Sequence, residues 1–455
     1  MTKEAVMTIR NALYVAAILL PLLGCRPDEE PAAPETEAAI DWARLTAEAE
    51  RLGKPEWRPV LTYLADLHRR STRPAGPPFP HPWVEIGPGY HARAFGHWDI
   101  VHATLDLIPT LPGHAERQIL NNLANQEPDG LVPGVIWVER PNRPDEGPDW
   151  NKKAGHPPLW PIAVEELSRH LGSDEPIIPA YEPLVRQIAW FERNRRGEPR
   201  GFWYSRSSWE SGLDDDLRQP FAIAEDGTHW AFLDATCHVY DLYIRASEWA
   251  TRLLKPGEAS GYLQKAGELQ SFVREELWDE EAGFFYDIWS IDDPEKRVES
   301  FVAIWPLVMG IATSEQADRV IDEHLLNPDR FFGEHPIATI AMDSLGYQRL
   351  TWRGPAWNSM SYWAARGCAR YGREDAARRI LEKALDNTAR HFERTGTIWE
   401  FYDPTGGPPE ELEREVQPPA GTPKREYLGH NPLLAMARLY DELSPAPWGT
   451  NADDE

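Results

Sequence analysis

The chain has 455 residues, with 73 acidic against 47 basic side chains, a net charge of −26 at neutral pH, and only nine Lys among the basic residues. That balance excludes a nucleic-acid-binding role, which needs a basic face, and three Cys exclude a disulfide framework. The length allows one large domain or two ordinary ones with a full core, and the 20 Trp suit either a large helical core or a site whose rings stack on sugars.

The chain opens on a targeting pattern. Residues 7 to 25 read "MTIRNALYVAAILLPLLGC", in which Arg10 precedes an apolar run from Ala12 to Leu23. The run is short for a membrane span and fits a secretory apolar core. Its ending, Leu22-Leu23-Gly24-Cys25, resembles a bacterial lipobox, which implies lipidation of Cys25; an ordinary signal peptide with an incidental Cys is the alternative. Residues 26 to 38, "RPDEEPAAPETEA", are rich in Pro, Glu and Ala and read as a disordered tether. The expected organisation is a lipoprotein-type signal over 1–25, the tether over 26–38, one catalytic domain over 39–445 and an acidic tail over 446–455. The expected location is a bacterial cell envelope, lipid-anchored, periplasmic or surface-exposed.

Beyond the tether the dominant signal is helical. In 374–393, Ala377, Ile380, Leu381, Ala384, Leu385, Thr388 and Phe392 form one stripe at spacings of three and four. Similar stretches predict helices near 56–70, 96–110, 114–126, 158–171, 180–196, 230–254, 261–278, 301–312, 314–326, 356–371 and 430–443. Strand-like alternation is scarce. The connections alternate between short ones and long ones at 73–95, 127–157, 197–229, 327–355 and 395–428, and structureless loops of that length are usually functional. A dozen helices joined this way predict an all-α fold, an (α/α)6 barrel of helix pairs with the long loops building a pocket at one end.

Those loops carry the chemistry. In chain order they hold "FGHWDIVH" (95–102), "NQEPDGLVPG" (125–134), "GHPPLW" (155–160), "WESGLDDDLR" (209–218), "TWRGPAWNSM" (351–360) and "TIWEFYDPTGG" (397–407). All but "NQEPDGLVPG", which has amides and carboxylates without Trp, set Trp beside a carboxylate, amide or Arg, or beside His. Aromatic faces suit a sugar ring, and the polar groups suit its hydroxyls. Metal binding lacks support: there is no HExxH, and His97 and His102 are five apart. No phosphate-cradling Gly-rich loop follows a strand, so no cofactor is expected. Cys237 and Cys368 lie in apolar helical stretches and read as core residues.

Taken together and in this order, the segments resemble the trehalase and family 63 glycoside hydrolase group, over about residues 85–440. "WESGLDDD" is similar to that group's Glu-Ser-Gly-x-Asp motif, and "WEFYDP" to its Glu-x-Tyr-Asp motif. "TWRGPAW" is similar to the family 63 stretch that lines the sugar subsite. The resemblance implies Asp214 as general acid, with Asp215 the fallback, and Glu400 as general base of an inverting α-glycosidase, whose two carboxyl groups stand about 6.5–9.5 Å apart. It implies substrate contacts from Trp98, Asp99, Gln126, Trp209, Glu210, Trp352, Arg353, Trp357, Asn358 and Tyr402. Glu210 reads more readily as a loop-shaping hydrogen-bond partner, and Trp352 and Trp357 as platforms or core. Asp215 and Asp216 are expected to raise the proton affinity of Asp214 by like-charge repulsion and partial desolvation. Arg218, Lys152 and Lys153 read as surface charges or as contacts for an anionic aglycone.

The region after the base, "GTPKREYLGHNPLLAM" (421–436), lacks the glycine-rich and aromatic-Trp signatures of trehalases. The compact form looks like bacterial members that hydrolyse small α-glucosides or α-mannosides, including glucosylglycerate and mannosylglycerate. Trehalase is the runner-up. A non-catalytic sugar-binding lipoprotein is the reading from another class, and a polysaccharide lyase a more distant one; the acid pair argues against both. The expected partners are a carbohydrate substrate and, through the lipid anchor only, a membrane.

Overall fold

The computed structural model describes residues 40–90, 93–138, 149–150, 155–205, 210–414 and 421–443. The signal, the tether, Cys25, Lys152, Lys153, Trp209 and the acidic tail lie outside the described residues. From Asp41 onward the chain forms one compact unit.

Its helices are α1 (Trp42–Ala49), α2 (Arg58–Ser71), α3 (His97–Leu107), α4 (Pro112–Ala124), α5 (Trp160–Leu171), α6 (Ile177–Asn194), α7 (Leu233–Arg252), α8 (Pro256–Glu276), α9 (Ile288–Ile291), α10 (Trp305–Val308), α11 (Ser314–Arg319), α12 (Asn358–Arg370), α13 (Glu374–Thr395) and α14 (Leu433–Glu442). Two kinds of helix alternate, and burial separates them. Every residue of α3 is buried, as a helix in the middle of a domain requires. In α13 the buried set follows the predicted stripe, with Ala377, Ile380, Leu381, Ala384, Leu385 and Thr388 inward. The inner ring is α3, α5, α7, α10, α12 and α14. Helix α3 packs on α5 and α14, α10 packs on α7 and α12, and α14 on α12. The Trp160 and Trp249 rings, 6.2 Å apart, and the Arg252–Glu165 pair at 2.9 Å join α5 to α7 and close the ring. Outside it, α4 covers α3 and α5, α6 covers α5 and α7, α8 covers α7, and α13 covers α12 and α14. This is the expected (α/α)6 barrel.

Four elements depart from the sequence reading, among them the single turn α9, which was not anticipated. Helix α1 was not anticipated; Asp41 caps it by accepting from the Arg44 N–H at 3.3 Å. The stretch expected as one helix over 301–312 is a 3-10 turn (Phe301–Ile304) leading into the single turn α10, with Pro306 near its start and Gly310 just beyond its end. The helix expected over 314–326 is α11 followed by a π-helical turn, Val320–Leu325. Among the described residues no helix is long and apolar enough to cross a membrane.

The connections from inner to outer helices are short, as at 108–111, 172–176, 253–255 and 371–373. Those from outer to inner are long, and each delivers the chain to the N-terminus of an inner helix. The long loops therefore share one end of the barrel with the positive ends of the inner helix dipoles. Small antiparallel pieces stiffen them, including the three-stranded sheet of Ala94–Gly96, Val135–Trp137 and Asp149–Trp150.

Candidate active site

At the loop end a cavity of about 200 Å³ is lined by residues from five of the long loops and the helix starts they feed. Trp98 and Asp99 come from the first turn of α3, Val135, Trp137 and His156 from the second loop, Gly212 and Asp214 from the third, Trp352 and Trp357 from the loop before α12, and Glu400, Arg414, Tyr427 and His430 from the loop before α14. Ile86 and Tyr90 complete the wall. Six of the sequence-proposed residues thus meet in one place: Trp98, Asp99, Asp214, Trp352, Trp357 and Glu400.

The floor is aromatic. Trp352 and Trp357 stack with centroids 4.0 Å apart and planes 5° from parallel; each is nearly buried and each lines the cavity. Trp98 leans on Trp352 at 5.7 Å, and His430 meets Trp98 and Trp357 edge-on at 4.7 Å. The imidazoles are neutral at pH 7. Burial and the neighbouring His97 push His156 down to about 3, and burial with His102 and His156 nearby pulls His430 far below its usual range.

Glu400 stands on an extended segment bonded along both edges. Ala356 and Tyr402 exchange backbone hydrogen bonds of 2.8 Å on one side, and the Glu400 N–H donates to the Lys424 carbonyl at 2.9 Å on the other. The carboxylate is 1% exposed. It accepts from Arg414 Nε at 3.1 and 2.8 Å and from the Lys424 backbone N–H at 3.0 Å. The bare Coulomb gain of such a buried pair is largely offset by desolvation, but losing one partner is costly.

Asp214 is the one exposed residue between 210 and 216, and its neighbours hold the turn. Glu210 is fully buried and accepts from Arg195 Nε at 2.6 Å, Arg195 Nη2 at 3.0 Å, the Ser205 N–H at 2.7 Å and the Gly155 N–H at 3.3 Å. Gly212 has φ +74°, and a Cβ there would meet Trp98 Cζ2 at 2.5 Å, so the turn passes directly over the ring. Asp215 Oδ1 accepts the Trp352 N–H at 3.1 Å, and its carbonyl accepts Arg353 Nε at 2.8 Å; burial pushes its carboxyl up to about 6. Asp216 is paired with Arg218. Asp215 and Asp216 are each engaged with a partner of their own.

Asp99 is the third carboxylate of the cavity. Tyr427 Oη donates to its Oδ1 at 3.0 Å, and His430 Nε2 lies 3.5 Å from the same oxygen. With no cation among these neighbours, burial pushes it up to about 7. The Gly429 backbone lies close enough that a side chain there would collide with Asp99.

Among the described residues, the remaining proposed contacts do not line the cavity. Gln126 is spent on the Gly130 and Pro183 carbonyls, each at 2.9 Å, and on Arg186. Glu210 shapes the loop, the second of the two roles read for it. Arg353 serves Asp215. Asn358 is buried and bonded to Thr388, Asn431 and His335. Tyr402 is buried, stacks on His335 at 4.4 Å, and accepts the Trp399 N–H at 3.2 Å. Arg218 is not the surface charge expected but is 0% exposed among three aspartates. Both described Cys are free and buried, as read. Tyr90, Trp137, His156, Arg414, Tyr427 and His430 were not singled out by sequence. The available signal was weak: a lone Arg in the acidic run "ELEREV", and Tyr427 and His430 in a stretch noted only for the motifs it lacks.

The model of the mannosylglycerate hydrolase MGH1-like glycoside hydrolase domain matches residues 95–415. A mannosylglycerate hydrolase of Rubrobacter radiotolerans is 21% identical, over 84% of this chain and 95% of its own. A periplasmic trehalase of Pseudomonas aeruginosa is 29% identical, but over 44% of this chain and only 36% of its own. Among solved structures, the family 63 mannosylglycerate hydrolase of Thermus thermophilus in complex with glucose superposes with a TM-score of 0.63 at 17% identity, covering 86% of this chain and 100% of that one.

Proposed function

This chain belongs to the mannosylglycerate hydrolase MGH1-like glycoside hydrolase family and is an inverting O-glycosyl hydrolase; from that premise we propose that it cleaves a short α-mannoside or α-glucoside with a small aglycone, mannosylglycerate or glucosylglycerate foremost. The observation that carries the reading is the cavity. Pockets for drug-sized ligands run to about 300–1,000 Å³, whereas this one holds about 200 Å³, which suits one sugar ring and a small appendage rather than a polymer.

In this reading Asp214 protonates the glycosidic oxygen as its bond to the anomeric carbon breaks. Glu400 takes a proton from the water that attacks that carbon from the opposite face, giving the β-anomer of the sugar and the free alcohol. After one turnover Asp214 has lost a proton and Glu400 holds one. Exposure of Asp214 suits a group reloaded from solvent, and burial of Glu400 suits a base that works on one held water. Trp352, Trp357 and Trp98 offer the sugar its apolar faces, and Asp99 with His156 its hydroxyl partners.

The test is proton NMR of the protein with mannosylglycerate, glucosylglycerate, trehalose and short gluco-oligosaccharides, following the anomer released first. The β-anomer from a glycerate glycoside is the expected result. Preferential turnover of trehalose moves the assignment to the trehalase alternative, and silence across the panel favours the sugar-binding reading.

The proposal includes the location: residues 1–25 target the protein to the cell envelope and Cys25 carries a lipid anchor. Cys25→Ser is expected to release the protein from the membrane fraction, and retention there argues against the lipid anchor.

A further inference from the structure

The turn that carries Asp214 ends in a buried charge network that the reaction itself does not use. Arg218 spends all five guanidinium N–H groups on three aspartates. Nε donates to Asp216 Oδ1 at 3.0 Å, Nη2 to Asp216 Oδ2 and to Asp234 Oδ2, each at 2.8 Å, and Nη1 to Asp234 Oδ1 and Asp287 Oδ1, each at 3.2 Å. Its backbone N–H donates to Asp216 Oδ1 at 2.9 Å, and the Phe232 ring lies 5.3 Å from Cζ.

The three acceptors belong to three separate parts of the chain. Asp216 is two residues after Asp214. Asp234 sits in the first turn of α7 and accepts the Ala235 N–H at 2.9 Å. Asp287 immediately precedes α9 and accepts the Leu233 N–H at 2.8 Å. One guanidinium therefore ties the acid-bearing turn to the start of an inner helix and to the next long loop. A Lys in its place offers three donors from a point rather than five in a planar fork, and cannot make all five contacts at once.

We infer that Arg218 is a positioning residue for the general acid: through Asp216, Asp234 and Asp287 it sets where the Asp214 carboxyl stands relative to the glycosidic oxygen. Proton donation is steeply sensitive to such placement; a misplacement near 1 Å costs on the order of 100-fold. Purely structural support would slow every substrate alike. Loss of acid positioning falls on substrates whose leaving group needs a proton and spares those whose leaving group does not.

The inference rests on Asp214 being the acid, so the experiment separates the two. Asp214→Asn, Arg218→Lys and Asp216→Asn are each assayed on the best α-glycoside of the panel and on the α-glycosyl fluoride of the same sugar, whose fluoride departs with little proton donation. The expected result for Arg218→Lys is a kcat loss of about 100-fold on the glycoside, a far smaller loss on the fluoride, and a nearly unchanged KM, with Asp216→Asn showing the same split in weaker form. Equal losses on both substrates, or no loss, overturn the positioning role. If Arg218→Lys does not fold, Asp216→Asn decides alone by the same criterion. If Asp214→Asn itself shows no split, the acid assignment fails and the inference falls with it.

Discussion

The segments that carry the two proposed catalytic carboxylates are fastened differently. Glu400 is gripped directly: its own oxygens accept from Arg414 and the Lys424 N–H, and its backbone is bonded on both edges. Asp214 is exposed, and the turn that carries it is fastened by Glu210, Asp215 and Asp216, each to a different part of the barrel. A base that works on one held water is served by rigidity at the carboxylate itself. An acid must lose and regain its proton in every cycle, and the turn that carries Asp214 is anchored by residues that never react.

The largest effect expected from this contrast is loss of the reacting groups. Asp214→Asn and Glu400→Gln are each expected to lower kcat by about 10²–10⁴-fold or more, with unchanged circular dichroism showing that folding survives. Near-normal turnover in either variant removes that residue from the mechanism. Next comes the direct grip. Arg414→Ala leaves the Glu400 carboxylate nearly buried with one backbone donor, which is expected to cost about 3–5 kcal/mol of stability in urea unfolding. A negligible change would mean that the two segments are not fastened differently after all. The indirect grip is tested by Glu210→Gln, which keeps the shape and removes the charge facing Arg195. About 1–3 kcal/mol of stability is expected to go, with a kcat loss well short of that for Asp214→Asn. An equal kcat loss would make Glu210 the acid and erase the contrast.

The same contrast marks what a sequence can disclose. The helices were legible because burial imposes a period, and the stripe in 374–393 is the face that α13 buries. Glu400 and Asp214 were reached as candidates through the resemblance of "WEFYDP" and "WESGLDDD" to family motifs, and both line the cavity. Arg414 was not legible, because its partner is 14 positions away across a fold of the loop and the residues around it are ordinary glutamates. Arg218 was adjacent to the motif and still misread. Whether an Arg is a surface charge or a buried hub depends on Asp234 and Asp287, which only the barrel brings to it. The stretch 301–312 failed for a different reason: it is apolar enough for a helix, but Pro306 and Gly310 leave room for one α-helical turn.

Asp99 supplies the smallest effect and the sharpest form of the comparison, because it shares the cavity with the other two carboxylates, and its Oδ1 has Tyr427 and a neutral His430 beside it. Burial pushes its carboxyl from 3.8 up to about 7. Below 3.8 it is protonated in both states. As pH rises, the unfolded chain gives up this proton first, while the folded protein keeps it until about 7. Folding therefore loses stability across that window, and the loss is complete only above the folded value. Between pH 6 and 8 the contribution of this one group is about 1.4 kcal/mol. Asp99→Asn keeps an oxygen to accept from Tyr427 and has no proton to lose, so urea unfolding of the variant is expected to vary less with pH over that interval by this amount. Coincident slopes for variant and parent would mean that the pocket tolerates a negative charge on Asp99 without a cation, and that Arg414 is not what distinguishes Glu400 from it.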